Sequence, residues 1–264
     1  MPEASIDSTG ADDRTSSDTP GLGATAKAAV RSAATFLAIA VYVLIVAPPG
    51  LLLAMVFKWP GVLYDAGRLG VRLGILLAGI KCEVTGLERV PRDRALVFCA
   101  NHQSNVDPPV LFASLHRRLH ILFKAELLKL PLLGRVFLAG GFVPIQRENR
   151  EKARASIAEA VRSIQAGNTF LIFPEGTRSR TRELLPFKKG GFVMAIEAGA
   201  PIVPVAIDGG RAAMRKGSRL IWPARVTVDI GEPIETSGLT LVDRDALIAS
   251  ARDLIVTMLA ARQR

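Results

Sequence analysis

The sequence predicts an α/β protein, a mixed sheet flanked by helices, with an N-terminal membrane-embedded helical hairpin ahead of it. Three observations carry this expectation. From Lys81 onward, short runs rich in Val, Ile and Phe, bounded by Gly, Pro or charge, alternate with stretches of helical period. That alternation is the pattern of a sheet covered on both faces. Ahead of it, an uncharged apolar run covers 33–57, long enough at ~1.5 Å per residue to cross a hydrocarbon core of ~30 Å. The chain has 264 residues, 49% of them hydrophobic and 22% charged. That suffices for one sizeable core and falls short of two full catalytic domains.

Residues 1–24 are Ser, Thr, Asp, Gly and Pro with little apolar content, and read as a disordered acidic tail. Gly21–Ala26 matches the dinucleotide pattern G-x-G-x-x-A, but no strand precedes it, so the match is rejected. Residues 25–80 read as a membrane-associated helical hairpin. Within the apolar run, Pro48-Pro49-Gly50 is expected to break or sharply kink a helix, leaving parts too short to cross alone. A hairpin that dips into one leaflet with both ends cytoplasmic fits this best. A kinked single span competes with it, and a cleaved signal peptide less so, because the positive charges lie far from Met1. The stretch 59–80 stays mostly apolar, with Arg68 and Arg72 four apart and expected to face headgroups.

Residues 81–264 read as the α/β domain. Strands are expected at 82–85, 95–100, 120–123, 142–145, 170–173, 202–207 and 226–230. A helix is expected at 151–165, with Ala153, Ile157, Ala160, Val161 and Ile164 on one face and Gly167 just past its end. Another is expected at 243–262, with a stripe of Leu247, Ile248, Ala251, Leu254, Ile255 and Met258.

Charge narrows the partners. Lys and Arg number 34 against 24 Asp and Glu, a formal net charge of +10. A basic, apolar chain suits nucleic acid, anionic lipid or phosphorylated substrates. Aromatics at 6%, no recognition motif and a long apolar run argue against nucleic acid and for an anionic membrane. Cys82 and Cys99 alone exclude a disulfide scaffold and a four-cysteine zinc site, and fit a reducing compartment. His116 and His120 lie four apart, but Arg117 and Arg118 stand between them and no carboxylate cluster completes a metal site. There is no P-loop, no G-x-S-x-G and no Cys–His arrangement, and Ser104, two residues from His102, lacks a triad.

Three segments carry chemistry. In the first, a strand ending near Ala100 leads through His102 to Asp107, just before a helix expected from Pro108. Asp107 sits where an N-cap belongs, held extended by the following proline. The loop is short enough for its carboxylate to meet one ring nitrogen of His102, fix the tautomer and stabilise the imidazolium once formed. The bland alternative is a helix cap beside a loop histidine without a task. In the second, strand 170–173 runs into Pro174, Glu175, Gly176, Thr177, Arg178 and Ser179, followed by Arg180, Arg182, Lys188 and Lys189. Exposed N–H groups and cations there suit a phosphate, or form only a solvated basic loop. In the third, strand 142–145 leads to Arg147, where an ordinary strand end is the simpler reading.

Taken together, these segments resemble the glycerolipid acyltransferase family, whose best-known members are 1-acylglycerol-3-phosphate acyltransferases. Asn101-His102 followed by Asp107 looks like its N-H-x4-D block, 142–147 weakly like its second, 173–179 like its F-P-E-G-T-R-S block, and 200–205 like its fourth. The resemblance covers roughly 87–207, in the family's order. It implies acyl transfer from acyl-CoA or acyl-carrier protein to the free hydroxyl of 1-acylglycerol 3-phosphate, with no cofactor and no metal. It implies His102 as general base oriented by Asp107, and Glu175, Gly176, Thr177 and Arg178 as acceptor-binding residues. Arg147 is implied for the acceptor's phosphate, and Lys124 either for that phosphate or as a backbone donor near the oxyanion. Gln146 stands where many members carry Asp, which leaves the acceptor headgroup open. Glycerol 3-phosphate, lyso-ornithine lipid and other lysophospholipids remain alternative acceptors, and a non-catalytic basic membrane-surface protein is the alternative from another class. The cytoplasmic face of a membrane, the plasma membrane in a bacterium, is the expected location.

Overall fold

The computed structural model describes residues 21–59, 61–115, 118–146 and 149–262. Seven strands form one sheet: β1 (Ile80–Thr85), β2 (Val97–Ala100), β3 (Leu119–Lys124), β4 (Val143–Ile145), β5 (Thr169–Ile172), β6 (Ile202–Asp208) and β7 (Ala224–Ile230). Their order is β1-β7-β6-β2-β5-β3-β4. Every neighbouring pair is parallel except β6 with β7. The sheet is therefore mixed, as expected, and each strand lies within two residues of its expected ends.

Burial explains why these strands are legible. Every position of β2 and β5 is buried, as in strands covered on both faces, so they read as unbroken apolar runs. β7, nearer the edge, alternates buried and half-exposed positions. Successive residues of β2 feed opposite cores. Phe98 and Ala100, with Leu96 just ahead of the strand, join Val110 and Leu111 of helix α3 (Asp107–Ser114). Val97 and Cys99 face α5 (Arg150–Gln165), α6 (Gly190–Ala198) and α8 (Arg244–Ala261). The helices expected at 151–165 and 243–262 are α5 and α8. Helix α4 (Pro131–Ala139), α6 and the short α7 (Gly210–Ala213) were not expected. Phe192, Met194, Ala195 and Ile196 of α6 are all buried, so its side chains show no polar face from which to read a period.

The N-terminal segment departs from expectation in three ways. First, α1 (Leu22–Val56) is one helix of 35 residues that begins inside the supposed tail and continues through Pro48 and Pro49. Each proline forgoes a ladder bond, to Leu44 and Ile45 respectively. Packing against α2 (Gly61–Ala78) compensates. Tyr42 Oη donates to the Ala66 carbonyl at 2.8 Å, while Gly50 and Gly70 lie against Leu63 and Tyr42. Second, the hairpin turns between Val56 and Gly61, not at the prolines. The contacts Gly50–Leu63, Tyr42–Gly70 and Ile39–Gly74 run in opposite directions along the two helices, so they are antiparallel. Third, Arg68 turns inward, where its Nη2 donates to the Ala113 carbonyl at 3.3 Å. The last turn of α3, with its unpaired carbonyls, suits a cation. Arg72 is exposed. The start of α1 docks on the α/β domain through buried Ser32, whose Oγ accepts the Ile221 N–H at 2.7 Å. Of the described helices, α1 alone is long and apolar enough to cross a membrane.

Candidate active site

The carboxyl ends of β2, β5 and β6 open on one edge of the sheet, the place where such sheets put their ligands. Asn101 continues the pairing of β2 with β6 by its side chain. Its Nδ2 donates to the Ile207 carbonyl at 2.9 Å and its Oδ1 accepts the Ile207 N–H at 2.7 Å. His102 follows, and its backbone is held from both sides by the loop after β5. Its N–H donates to Glu175 Oε1 at 2.7 Å, and its carbonyl accepts the Ser179 N–H at 2.8 Å. The imidazole stacks on Phe173, centroid to centroid 4.2 Å.

Asp107 is the first residue of α3, whose cap is Val106, so it is not the N-cap the sequence suggested. Its carboxylate turns back into the loop instead. Oδ2 accepts the N–H groups of Gln103 and Ser104, each at 2.7 Å, and lies 3.0 Å from His102 Nδ1. With two amide donors fixed on that oxygen, Nδ1 is assigned the proton, which leaves Nε2 as the basic nitrogen. Asp107 is 1% exposed and His102 16%, so the ring reaches solvent while its partner does not. The other Asp107 oxygen, Oδ1, is buried without a hydrogen-bond partner among the described residues.

Glu175 stands behind the site. Its two oxygens are taken by backbone amides, Oε1 by His102 and Oε2 by Leu185 at 2.9 Å, and the residue is 2% exposed. It ties the histidine loop to 174–185, so the expected direct contact with an acceptor finds no support in its position. Burial pushes its carboxyl up from the usual glutamate range, against the opposite pull of the Leu185 and His102 amides. Thr177 is exposed and Arg178 half-buried. Arg178 Nη1 is buried without a hydrogen-bond partner among the described residues. Lys216, which no sequence motif points to, braces this turn: its Nζ donates to the Arg178 carbonyl at 2.7 Å and to Thr177 Oγ1 at 3.3 Å. Arg211 likewise donates to the Arg180 carbonyl.

The remaining candidates divide. Lys124 ends β3 with an exposed side chain paired to Glu126 Oε1 at 3.1 Å, outside the hydrogen-bonded group around His102. Arg147 lies outside the described residues, as do His116 and Arg117. Ser104 Oγ donates to the Met214 carbonyl at 2.7 Å and is fully buried, a structural role. Cys99 is buried in β2, and burial pushes its thiol far up, away from nucleophilic thiolate. His120 lies on β3, stacked against Phe170. Among the described residues no three His, Cys, Asp or Glu side chains gather as metal ligands.

A family model described as Acyltransferase matches residues 81–208. The 1-acyl-sn-glycerol-3-phosphate acyltransferase of Limnanthes alba is 35% identical over 220 residues, 81% of this chain and 78% of that protein. The enzyme of the same name from Haemophilus influenzae is 32% identical over 212 residues, 78% of this chain and 81% of that one. Among solved structures, the 1-acyl-sn-glycerophosphate (LPA) acyltransferase PlsC from Thermotoga maritima superposes with a TM-score of 0.80. It covers 90% of this chain and 97% of its own at 23% identity, a likeness of fold.

Proposed function

The chain belongs to the 1-acyl-sn-glycerol-3-phosphate acyltransferase family, and from that premise we propose that it acylates the free hydroxyl of 1-acylglycerol 3-phosphate, making phosphatidic acid. The observation that carries the chemistry is the His102 ring, engaged by Asp107 on Nδ1 and, among the described residues, by no hydrogen bond on Nε2, on a loop stitched to the Arg178 segment. Nε2 takes the proton of the acceptor hydroxyl as its oxygen attacks the carbonyl carbon of an acyl thioester. The C–O bond forms, the C–S bond breaks, and the imidazolium returns the proton to the departing sulfur. Asp107 supports the imidazolium between these two transfers. The donor, acyl-CoA or acyl-carrier protein, is already activated, so neither a covalent enzyme intermediate nor a cofactor is needed. Arg178, with Gly176 and Thr177 beside it, receives the acceptor's phosphate. Its planar fork of donors matches that group. Lys124, at the end of β3, and Arg147, as the family resemblance implies, supply further cations for it.

The protein works at a membrane. Support comes from the length of α1 and from its exposed Leu44, Ile45, Leu52, Met55 and Val56, continued on α2 by Leu69 and Leu76. An apolar surface of this extent is out of place in water. Because α1 and α2 are antiparallel, the hairpin enters from one side, the cytoplasmic one where both acyl donors are found. Basic loops at the site attract an anionic leaflet at about 1 kcal/mol per cation. The acceptor's acyl chain then stays in lipid while its headgroup reaches His102.

The test is thiol release by the purified full chain, with palmitoyl-CoA or oleoyl-CoA and then acyl-carrier protein as donor. Acceptors are lysophosphatidate, glycerol 3-phosphate and other lysophospholipids. Turnover with lysophosphatidate above all others is expected; turnover confined to another acceptor keeps the chemistry and overturns the substrate. In a flotation experiment, the full chain should rise with anionic vesicles, and Leu44→Lys/Leu52→Lys should weaken that association. Wild-type flotation of the double variant would remove α1 from the membrane contact.

A further inference from the structure

We propose that Gly210, the first residue of α7, is a positioning residue for the catalytic pair: the absence of a side chain there leaves the space that the Asp107 carboxylate occupies. The inference rests on the His102–Asp107 reading above. A Cβ at position 210 would lie 2.2 Å from Asp107 Oδ1, 3.1 Å from Ser104 Cβ and 3.4 Å from Asp107 Cγ. Ordinary heavy-atom contact begins at ~3.5 Å. One of the two must therefore move, and neither has room.

Asp107 is held through its other oxygen by the amides of Gln103 and Ser104 and by His102 Nδ1. A carboxylate is planar, so pushing Oδ1 aside rotates or lifts Oδ2 as well, and the bond to Nδ1 is the one without a backbone anchor. On the opposite side, the backbone around Gly210 is pinned. Ile207 is bound through both its N–H and its carbonyl by Asn101, and Met214 N–H closes α7 onto the Gly210 carbonyl at 2.9 Å. Gly209 has φ +85° and lies so close to β7 that a Cβ there would meet the Arg225 carbonyl oxygen at 2.1 Å. The turn after β6 is thus wedged between β7 and Asp107. Gly210 itself is not among the glycines with positive φ, so alanine there meets no backbone penalty. What opposes a side chain is the neighbouring carboxylate and Ser104.

The experiment is kinetic and uses the full chain in the thiol-release assay. Gly210→Ala should lower kcat by about 10–100-fold, the scale of a misplacement near 1 Å. The loss should fall chiefly on kcat, because the group displaced is Asp107; any change in acceptor KM, carried through Arg211 and Lys216 to 178–180, should be the smaller effect. In an Asp107→Ala background, the same substitution should alter the residual kcat by less than about twofold, because its target is gone. Equal losses in both backgrounds, or wild-type kcat in Gly210→Ala beside a crippled Asp107→Ala, would overturn this inference alone. Wild-type kcat in Asp107→Ala would instead sink the His–Asp reading and this inference with it. If Gly210→Ala fails to fold, the Gly210→Ala/Asp107→Ala double variant decides: recovery of folding supports the wedge, and failure refutes it.

Discussion

Replacing His102 with alanine should lower kcat by about 10²–10⁴-fold, the usual contribution of a positioned general base, while the protein still folds and floats with vesicles. The structure separates these two outcomes because His102 has two unrelated jobs. Its backbone N–H and carbonyl join the loop after β2 to Glu175 and Ser179, and those bonds survive any substitution that keeps the backbone in place. Its ring alone meets Asp107 and stacks on Phe173. Asp107 loses one of three donors and keeps two, both backbone amides, so its burial remains compensated. The loss should fall on kcat with both donors and all acceptors alike, since the group removed handles a proton common to every pairing. A His102→Ala protein with near-normal turnover would remove the base from the mechanism. A protein that fails to fold would show instead that the ring's packing on Phe173 is essential.

Most of the sheet is legible in the sequence because its central strands are buried on both faces and therefore written in unbroken apolar runs. The ends of α5 and α8 are legible for the complementary reason that each covers one face of the sheet and keeps a polar back. Where reading from local rules fails, a distant contact has outweighed a local preference. Pro48-Pro49 signals a break, but Tyr42 and Gly50 packed against α2 hold α1 continuous across it. Arg68 on an apolar helix signals a headgroup contact, but α3 presents it a carbonyl. The site shows the same division. His102 and Asp107 lie five apart, close enough for their meeting to be expected. Glu175 in a run of cations looks like part of a binding loop. That its oxygens face the amides of His102 and Leu185 is decided by how β2 and β5 lie side by side. Lys216 and Gly210 likewise reach the site from far along the chain and belong to no motif.

Arg178→Ala should raise KM for the acceptor by about 10–100-fold, the worth of a hydrogen bond to a charged group, with a much smaller change in kcat and in donor KM. A guanidinium nitrogen buried without a partner among the described residues costs stability until a ligand satisfies it. Removing it should therefore leave Tm unchanged or slightly raised, opposite in sign to most losses of a half-buried side chain. The combination of weaker acceptor binding and undiminished stability distinguishes a ligand-binding arginine from one that merely packs. Arg178→Lys should recover only part of the affinity, because a single ammonium cannot present the planar fork. Glu175→Gln supplies the contrast. It sets an amide N–H against a backbone N–H in a buried place, so it should lower Tm, with the kinetic loss spread over kcat rather than confined to acceptor KM. Should Arg178→Ala lower Tm and leave acceptor KM untouched, the phosphate must be held elsewhere on this edge, and Arg147 and Lys124 become the residues to test.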